Sequence, residues 1–329
     1  MSPLPHRVRS GLTRVSKGII PFGSSHRAAR KVAACWGRLA SDAYVEDLNR
    51  VSWGGIAQIH LNHNELITGR RDVYWVEWMR DRYFHGGRVG DVLSLGCGAG
   101  HLDRIFAQCG YRFESFTGID ISAEAVQAAA NMARETKVAN KFEYLAADLN
   151  QHELPSDGFD FIYFFQSLHH IEALEWVLGQ CHRALRPGGI LMVNEFVGPS
   201  RFQWTPAQLA EANAVFQTLP EELRRDLTRG GVKERIDRPT VSEMLAYDPS
   251  EAVRAAEIEE QVGARFDIFE AWNWGGTLNH LVFQDIAGNF KPESPTHQGI
   301  IELLIHHENS LIRNAVLPSD FKVLLCRRT

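Results

Sequence analysis

Two stretches of this 329-residue sequence hold side chains suited to moving a proton. Gln166-Ser167-Leu168-His169-His170-Ile171 follows one apolar run, and Asn194-Glu195-Phe196 closes another. Imidazole titrates near neutral pH, and a carboxylate beside it orients the ring and supports its charged form. His169, His170 and Glu195 are therefore the candidate catalytic residues, with the choice between the two histidines open. A third stretch, Asp91-Val92-Leu93-Ser94-Leu95-Gly96-Cys97-Gly98-Ala99-Gly100, runs from an apolar segment into a G-x-G-x-G turn. Glycines bend sharply and let a ligand lie against the main chain. A helix N-terminus after the turn would add free N–H groups. Asp120 stands twenty residues beyond Gly100, where a carboxylate can accept both hydroxyls of a ribose. The dinucleotide fingerprint has its third glycine one residue later, where this chain has His101.

Alternating strands and helices must position these groups. The apolar runs 92–95, 116–119, 142–145 and 159–165, with 189–196, read as strands; 100–109, 122–136 and 171–185 read as the helices between them. Strands without a polar face indicate a parallel sheet covered by helices on both sides. Two helices are expected within 43–85. Beyond residue 198 the pattern predicts helices over 206–217, 249–262, 277–289 and 297–314, and strands over 266–272 and 321–326. The resulting divisions are a basic arm (1–42), a helical cap (43–88), a core (89–198), a lid or substrate segment (199–248) and the remainder of the core with inserted helices (249–329).

Across residues 89–197 the motifs resemble class I S-adenosylmethionine-dependent methyltransferases. Leu95 to Gly100 looks like that family's first motif, and Gly118-Ile119-Asp120-Ile121-Ser122 like its ribose-binding segment. Ala147-Asp148-Leu149 resembles the segment that reads adenine. Phe159-Asp160-Phe161-Ile162 and Leu185-Arg186-Pro187-Gly188-Gly189 resemble the fourth strand and the turn into the fifth. The resemblance implies a Rossmann-like seven-stranded α/β fold with S-adenosyl-L-methionine as cofactor and S-adenosyl-L-homocysteine as product. It implies cofactor contacts from Gly96, Cys97, Gly98, Gly100, Asp120, Ile121, Asp148, Leu149 and Gln166. One departure is Ser94, where the family usually has an acid.

The cofactor activates its own methyl group, so the protein must align the nucleophile and, for a hydroxyl acceptor, take up a proton. The Leu-His-His motif and the acid at the next strand end are similar to small-molecule and sugar O-methyltransferases of the family. The expectation is O-methylation of a small-molecule or sugar-bearing acceptor, as in natural-product or glycan modification. The alternatives are N- or C-methylation, or a non-catalytic cofactor-binding partner subunit. Arg201, Gln203 and Trp204 follow a Gly-Pro break and suit a lid. Tyr74 in the cap, with Trp272 and Trp274 at a strand end, could line the acceptor side. His60 and His63 have no third ligand at metal spacing nearby, and no metal is expected.

Composition narrows the setting. Apolar residues make up 44% and charged residues 23%, as in a globular protein that needs no staple. Five widely spaced cysteines without a C-x-x-C point to a reducing, cytoplasmic environment. The net charge of −5 is unevenly spread. Residues 1–41 hold eight Lys/Arg and no acid, and the rest carries −13. That arm could touch an anionic membrane or a polyanion, whereas the acidic body gives no reason to expect a nucleic-acid partner. The oligomeric state is not readable.

Overall fold

The computed structural model describes residues 29–34, 51–136 and 138–328. Most of the basic arm, and the start of the first expected cap helix, lie outside the described residues. The cap consists of α1 (Ala57–Thr68) and α2 (Trp75–Tyr83). The core then runs β1 (Arg88–Leu95), α3 (His101–Gln108), β2 (Arg112–Asp120), α4 (Ala123–Ala133), β3 (Phe142–Ala146), β4 (Phe159–Phe165), α5 (Leu174–Ala184) and β5 (Leu185–Phe196). After it come α6 (Pro206–Phe216), α7 (Val241–Tyr247), α8 (Ile258–Gly263), β6 (Phe266–Gly275), α9 (Asn279–Phe283), α10 (Pro295–Arg313) and β7 (Phe321–Arg328).

The seven strands form one sheet in the order β3-β2-β1-β4-β5-β7-β6. Residues of one strand alternate between two cores. Val92, Phe161, Tyr163, Met192 and Val323 face one side, packed with Trp75, Met79 and Phe106. Leu93, Ile162, Phe164, Val193 and Leu324 face the other, packed with Leu174, Leu178 and Ile258. Each such buried side chain is worth roughly 1.5–3 kcal/mol, which is why the strands lack a polar face. A third core joins Ile59 of the cap, Trp204, Phe216, Leu281 and Leu304.

The parallel sheet expected from the alternating strands holds across β1 to β5, and β7 runs against it. β7 pairs antiparallel with both β5 and β6. Chain direction explains this: β6 runs up to the carboxyl edge, α9 and α10 pack there, and the chain can only re-enter the sheet running down. Phe321 therefore begins β7 opposite Phe196, the last residue of β5.

Two helix expectations are also corrected. The segment 249–262 is α-helical only from Ile258, after a 3₁₀ turn over Ala255–Glu257. Asp248 ends the preceding helix, and its Oδ1 accepts from Ser250 N (2.8 Å) and Ser250 Oγ (2.7 Å), which closes a turn. The segment 277–289 shortens to α9 and one 3₁₀ turn, Ala287–Asn289. Asp285, at φ 66°, breaks it and donates its N–H to Val51 O (2.6 Å).

Candidate active site

The glycine turn sits where β1 enters α3. Gly96 has φ 68° and Gly98 φ 51°. A Cβ on Gly96 would lie 2.4 Å from Ser167 Cβ, so no other residue lets the first and fourth strand ends approach this closely. A Cβ on Gly98 would meet nothing within 4 Å, so this side of the turn is open to a ligand. Asp120 is buried at the end of β2. Its Oδ2 accepts from Gly98 N (2.9 Å) and its Oδ1 from Ser122 N (2.8 Å). Burial pushes its carboxyl up, and these backbone donors work against the shift. Each oxygen keeps a lone pair for a ribose hydroxyl, so donor set and open turn fit the adenosine part of S-adenosylmethionine.

The other expected cofactor residues lie in the glycine turn itself and at or just beyond the ends of β2, β3 and β4. Cys97 N donates to Ile119 O (3.0 Å), and burial pushes the Cys97 thiol well up. Ile121 is half-buried and Leu149 is buried. Asp148 binds within its own turn, accepting from Asn150 N (3.0 Å) and Gln151 Nε2 (3.2 Å). Gln166 has φ 53°, a backbone form that non-glycine residues rarely adopt, and its N–H donates to Asn194 O (2.9 Å). Beside Ser94, where the family's acid would stand, a carboxylate arrives from α3. Ser94 Oγ donates to Asp103 Oδ1 (3.2 Å), Tyr144 OH to Asp103 Oδ2 (3.0 Å), and Tyr163 OH also donates to Oδ1. Burial raises the Asp103 carboxyl to about 6.

The proton-handling groups meet one strand further along. Glu195 Oε2 lies 2.6 Å from His169 Nδ1, while Oε1 accepts from Ser167 N and Leu168 N, each at 2.6 Å. The carboxylate thus ties the end of β5 to the loop after β4. The other edge of the ring, His169 Nε2, is 3.5 Å from Glu251 Oε1. His170 Nδ1 lies 3.0 Å from Ser250 Oγ. Arg201 donates to Pro249 O (2.6 Å) and Glu251 O (3.2 Å), and Val253 N donates to His169 O (3.1 Å). Three segments, 167–170, 200–202 and 248–253, therefore converge on the histidines.

The neighbouring histidines are tuned in opposite directions. Burial would lower His169, but Glu195, Glu251 and Asp248 outweigh it and raise its pKa. Burial, with His169 and Arg201 nearby, holds His170 well below the ordinary value. Burial also pushes the Glu251 carboxyl up. Divergent environments for adjacent titratable groups are a way of separating roles. Asp248, Ser250 and Glu251 were not singled out by the sequence reading. The Asp-Pro-Ser turn signal is present in the sequence, but helical spacing from residue 249 masks it.

Ligand atoms of His169, His170 and Glu251 lie within 4.8 Å of one another, so this group has the reach to hold a metal ion. Yet both ring edges of His169 face carboxylates, which suits an imidazolium held between them.

The expected acceptor-side residues separate. Trp204 and Trp274 are buried, Trp274 against His63 at 4.3 Å between ring centroids. Gln203 Nε2 donates to Arg201 O (2.9 Å) and Pro239 O (2.8 Å), tying residues 201–203 to the chain before α7. Tyr74 lies on the cap surface at the start of α2, its phenol raised to about 12 by burial and by Cys109 and Glu77. Trp272 packs on Trp78 at 6.0 Å. It also lines a cavity of about 640 Å³ with Asn62, Arg71, Glu302 and Arg313, between α1, β6 and α10. That cavity is lined by neither His169 and His170 nor the glycine turn.

Residues 89–244 match the methyltransferase-domain family. The chain is 28% identical over 191 residues to a sterol 24-C-methyltransferase of Debaryomyces hansenii, covering 57% of this chain and 48% of that one. It is 32% identical over 114 residues to a ubiquinone biosynthesis O-methyltransferase of Pseudomonas aeruginosa, covering 35% and 47%. It spans about half the length of the curated relatives it matches. A geranyl diphosphate methyltransferase solved with GPP and sinefungin shares the fold, with a TM-score of 0.53 at 15% identity over 92% of this chain and 100% of that one.

Proposed function

We propose that this chain is a class I S-adenosylmethionine-dependent methyltransferase that moves the cofactor's methyl group to a hydroxyl of a small-molecule acceptor, with His169 as the base. The observation that carries this reading is the Glu195–His169–Glu251 line, with 2.6 Å on one edge of the ring and 3.5 Å on the other. Asp120 would hold the ribose, and the glycine turn would lie along the rest of the cofactor. When bound, S-adenosylmethionine supplies an activated methyl group.

The chain's own residues do the remainder. His169 Nδ1–H donates to Glu195, which fixes the tautomer and leaves Nε2 as the basic atom. An acceptor hydroxyl placed beside Nε2 can donate its hydrogen bond to that nitrogen. As the oxygen attacks, its proton passes to Nε2, and Glu195 stabilises the imidazolium. His170, held neutral, supports the turn at Ser250. Alignment of this kind supplies about 7–11 kcal/mol of a barrier, and a placed base contributes roughly 10²–10⁴-fold.

The relatives' names add an apolar flavour to the acceptor: a sterol in one case and ubiquinone biosynthesis in another. The sterol relative also favours a second reading, transfer to carbon. Nuclear magnetic resonance of the methylated product separates the two: a methyl on oxygen supports the base assignment, and one on carbon overturns it. The setting we propose is cytoplasmic, in keeping with free cysteines at 97, 109, 181 and 326. Among the described residues, no helix is long and apolar enough to cross a membrane.

A further inference from the structure

Asp103 is a buried carboxylate that the proposed proton transfer does not use. It is 1% exposed, and among the described residues its side-chain partners are three hydroxyls, with no cation paired to it. Taking a carboxylate out of water without a counter-charge is costly. Packing alone would be served as well by an apolar side chain of similar volume. The charge at this position calls for a cause.

The three hydroxyls come from one row of the sheet. Ser94 of β1 is in register with Tyr163 of β4 on one side and with Gly118 of β2 on the other, and Gly118 is in register with Tyr144 of β3. Asp103, in the first turn of α3, lies over this row. Its Oδ1 accepts from Ser94 Oγ and Tyr163 OH, and its Oδ2 from Tyr144 OH. Tyr144 reaches across because Gly118 has no side chain: a Cβ there would stand 2.5 Å from Tyr144 Cδ1 and 3.1 Å from Cys97 Sγ. The glycine turn rests directly on this array. A Cβ on Gly100 would lie 2.9 Å from Tyr144 OH and 3.2 Å from Asp103 Oδ2, whereas one on Gly98 would meet nothing.

We infer that Asp103 is a positioning residue of the cofactor site: its carboxylate, reaching from α3 in place of an acid at position 94, gathers β1, β3 and β4 and so fixes the glycine turn in the form that receives S-adenosylmethionine. The inference rests on the methyl-transfer reading and gives work to a residue which that reading leaves idle. Hydrogen bonds to an ionised group are roughly twice as strong as neutral ones, so one carboxylate can hold three strands and a helix in a single arrangement. Both of its oxygens accept, whereas an amide offers one acceptor oxygen. A ligand-binding turn must keep its geometry to within about 0.5 Å, and locked neighbours supply that. Buried below the turn, Asp103 acts through the backbone of Gly96 to Gly100.

The test titrates S-adenosylhomocysteine calorimetrically into the full chain at about pH 8, above the value of about 6 to which burial raises this carboxyl. Asp103→Asn keeps the shape and removes the charge, and affinity should fall at least about fivefold. Adding Ser94→Asp to Asp103→Asn returns a carboxylate to the same row from the strand side, and affinity should recover to within about threefold of wild type. A residue that served only the fold would not be rescued by a charge at another position. Unchanged affinity in Asp103→Asn overturns the inference, and so does a loss that Ser94→Asp does not recover. If Asp103→Asn does not fold, Tyr144→Phe takes its place, because it strips one donor and keeps the charge. A loss of at least about twofold then supports the inference, and no loss overturns it. Absence of saturable binding to wild type would instead overturn the methyl-transfer reading, and the inference with it.

Discussion

Glu195 Oε2 stands 2.6 Å from His169 Nδ1, and the same carboxylate's other oxygen accepts two backbone N–H groups of the loop that carries the histidine. One buried side chain therefore sets the position, tautomer and charge preference of the proposed base. Activity needs neutral His169, whose pKa these carboxylates raise. The rate should accordingly climb with pH through a value above the ordinary histidine range. Glu195→Gln removes one source of that elevation, so the rising limb should move to lower pH while the maximal rate falls roughly 10²–10⁴-fold. A pH profile of kcat in both proteins checks this. An unshifted limb would separate Glu195 from the titrating group.

Cofactor binding tests the ribose assignment. Asp120→Ala removes a buried carboxylate tied to Gly98 N and Ser122 N. Hydrogen bonds to a charged group are worth about 1.5–3 kcal/mol, so S-adenosylhomocysteine affinity should drop about 10- to 100-fold. Calorimetry on the folded variant reads it directly, and equal affinity would remove Asp120 from the cofactor site.

Metal removal distinguishes proton chemistry from ligation at His169, His170 and Glu251. Dialysis against a strong chelator should leave the transfer rate unchanged, and elemental analysis should find less than one divalent ion per chain. A stoichiometric ion on which the rate depends would make these residues ligands.

Stability carries its own pH signature. Burial pushes the Asp320 carboxyl up to about 7, Oδ2 accepts from Gln208 Nε2 (2.6 Å), and Oδ1 has no partner. The folded chain thus holds this proton more tightly than the unfolded one. Stability is lost as pH rises from the unfolded carboxyl range through the folded pKa, and the penalty is complete above it, on the order of 4 kcal/mol at most. Asp320→Asn escapes the penalty. Its melting temperature should exceed wild type by more at about pH 8 than at about pH 5. A pH-independent difference would contradict this.

The core was legible because its signals are local. Apolar runs, the turn at Gly96 to Gly100 and the acid at Asp120 lie within short windows, and each window predicts its own element. The site's second half was not. Glu251 reaches His169 only because Asp248 and Ser250 close a turn that helical spacing conceals. Asp103, on an ordinary-looking helix, supplies a carboxylate beside Ser94, and nothing in the sequence around Ser94 points to it. An aromatic cluster joins Trp53, His63, Trp204, Trp274 and His280 across more than two hundred residues, and no periodicity links them. The reversal of β7 followed from where α9 and α10 pack, a tertiary outcome.

His169 is proposed to take the proton from an acceptor hydroxyl. Its most direct test is label transfer from methyl-labelled S-adenosylmethionine to a panel of phenols and alcohols, comparing wild type with His169→Gln. Label should appear on acceptor oxygen in wild type and fall at least about 10²-fold in the variant, with S-adenosylhomocysteine binding unchanged. Equal transfer by His169→Gln, or label on carbon or nitrogen instead of oxygen, would contradict it.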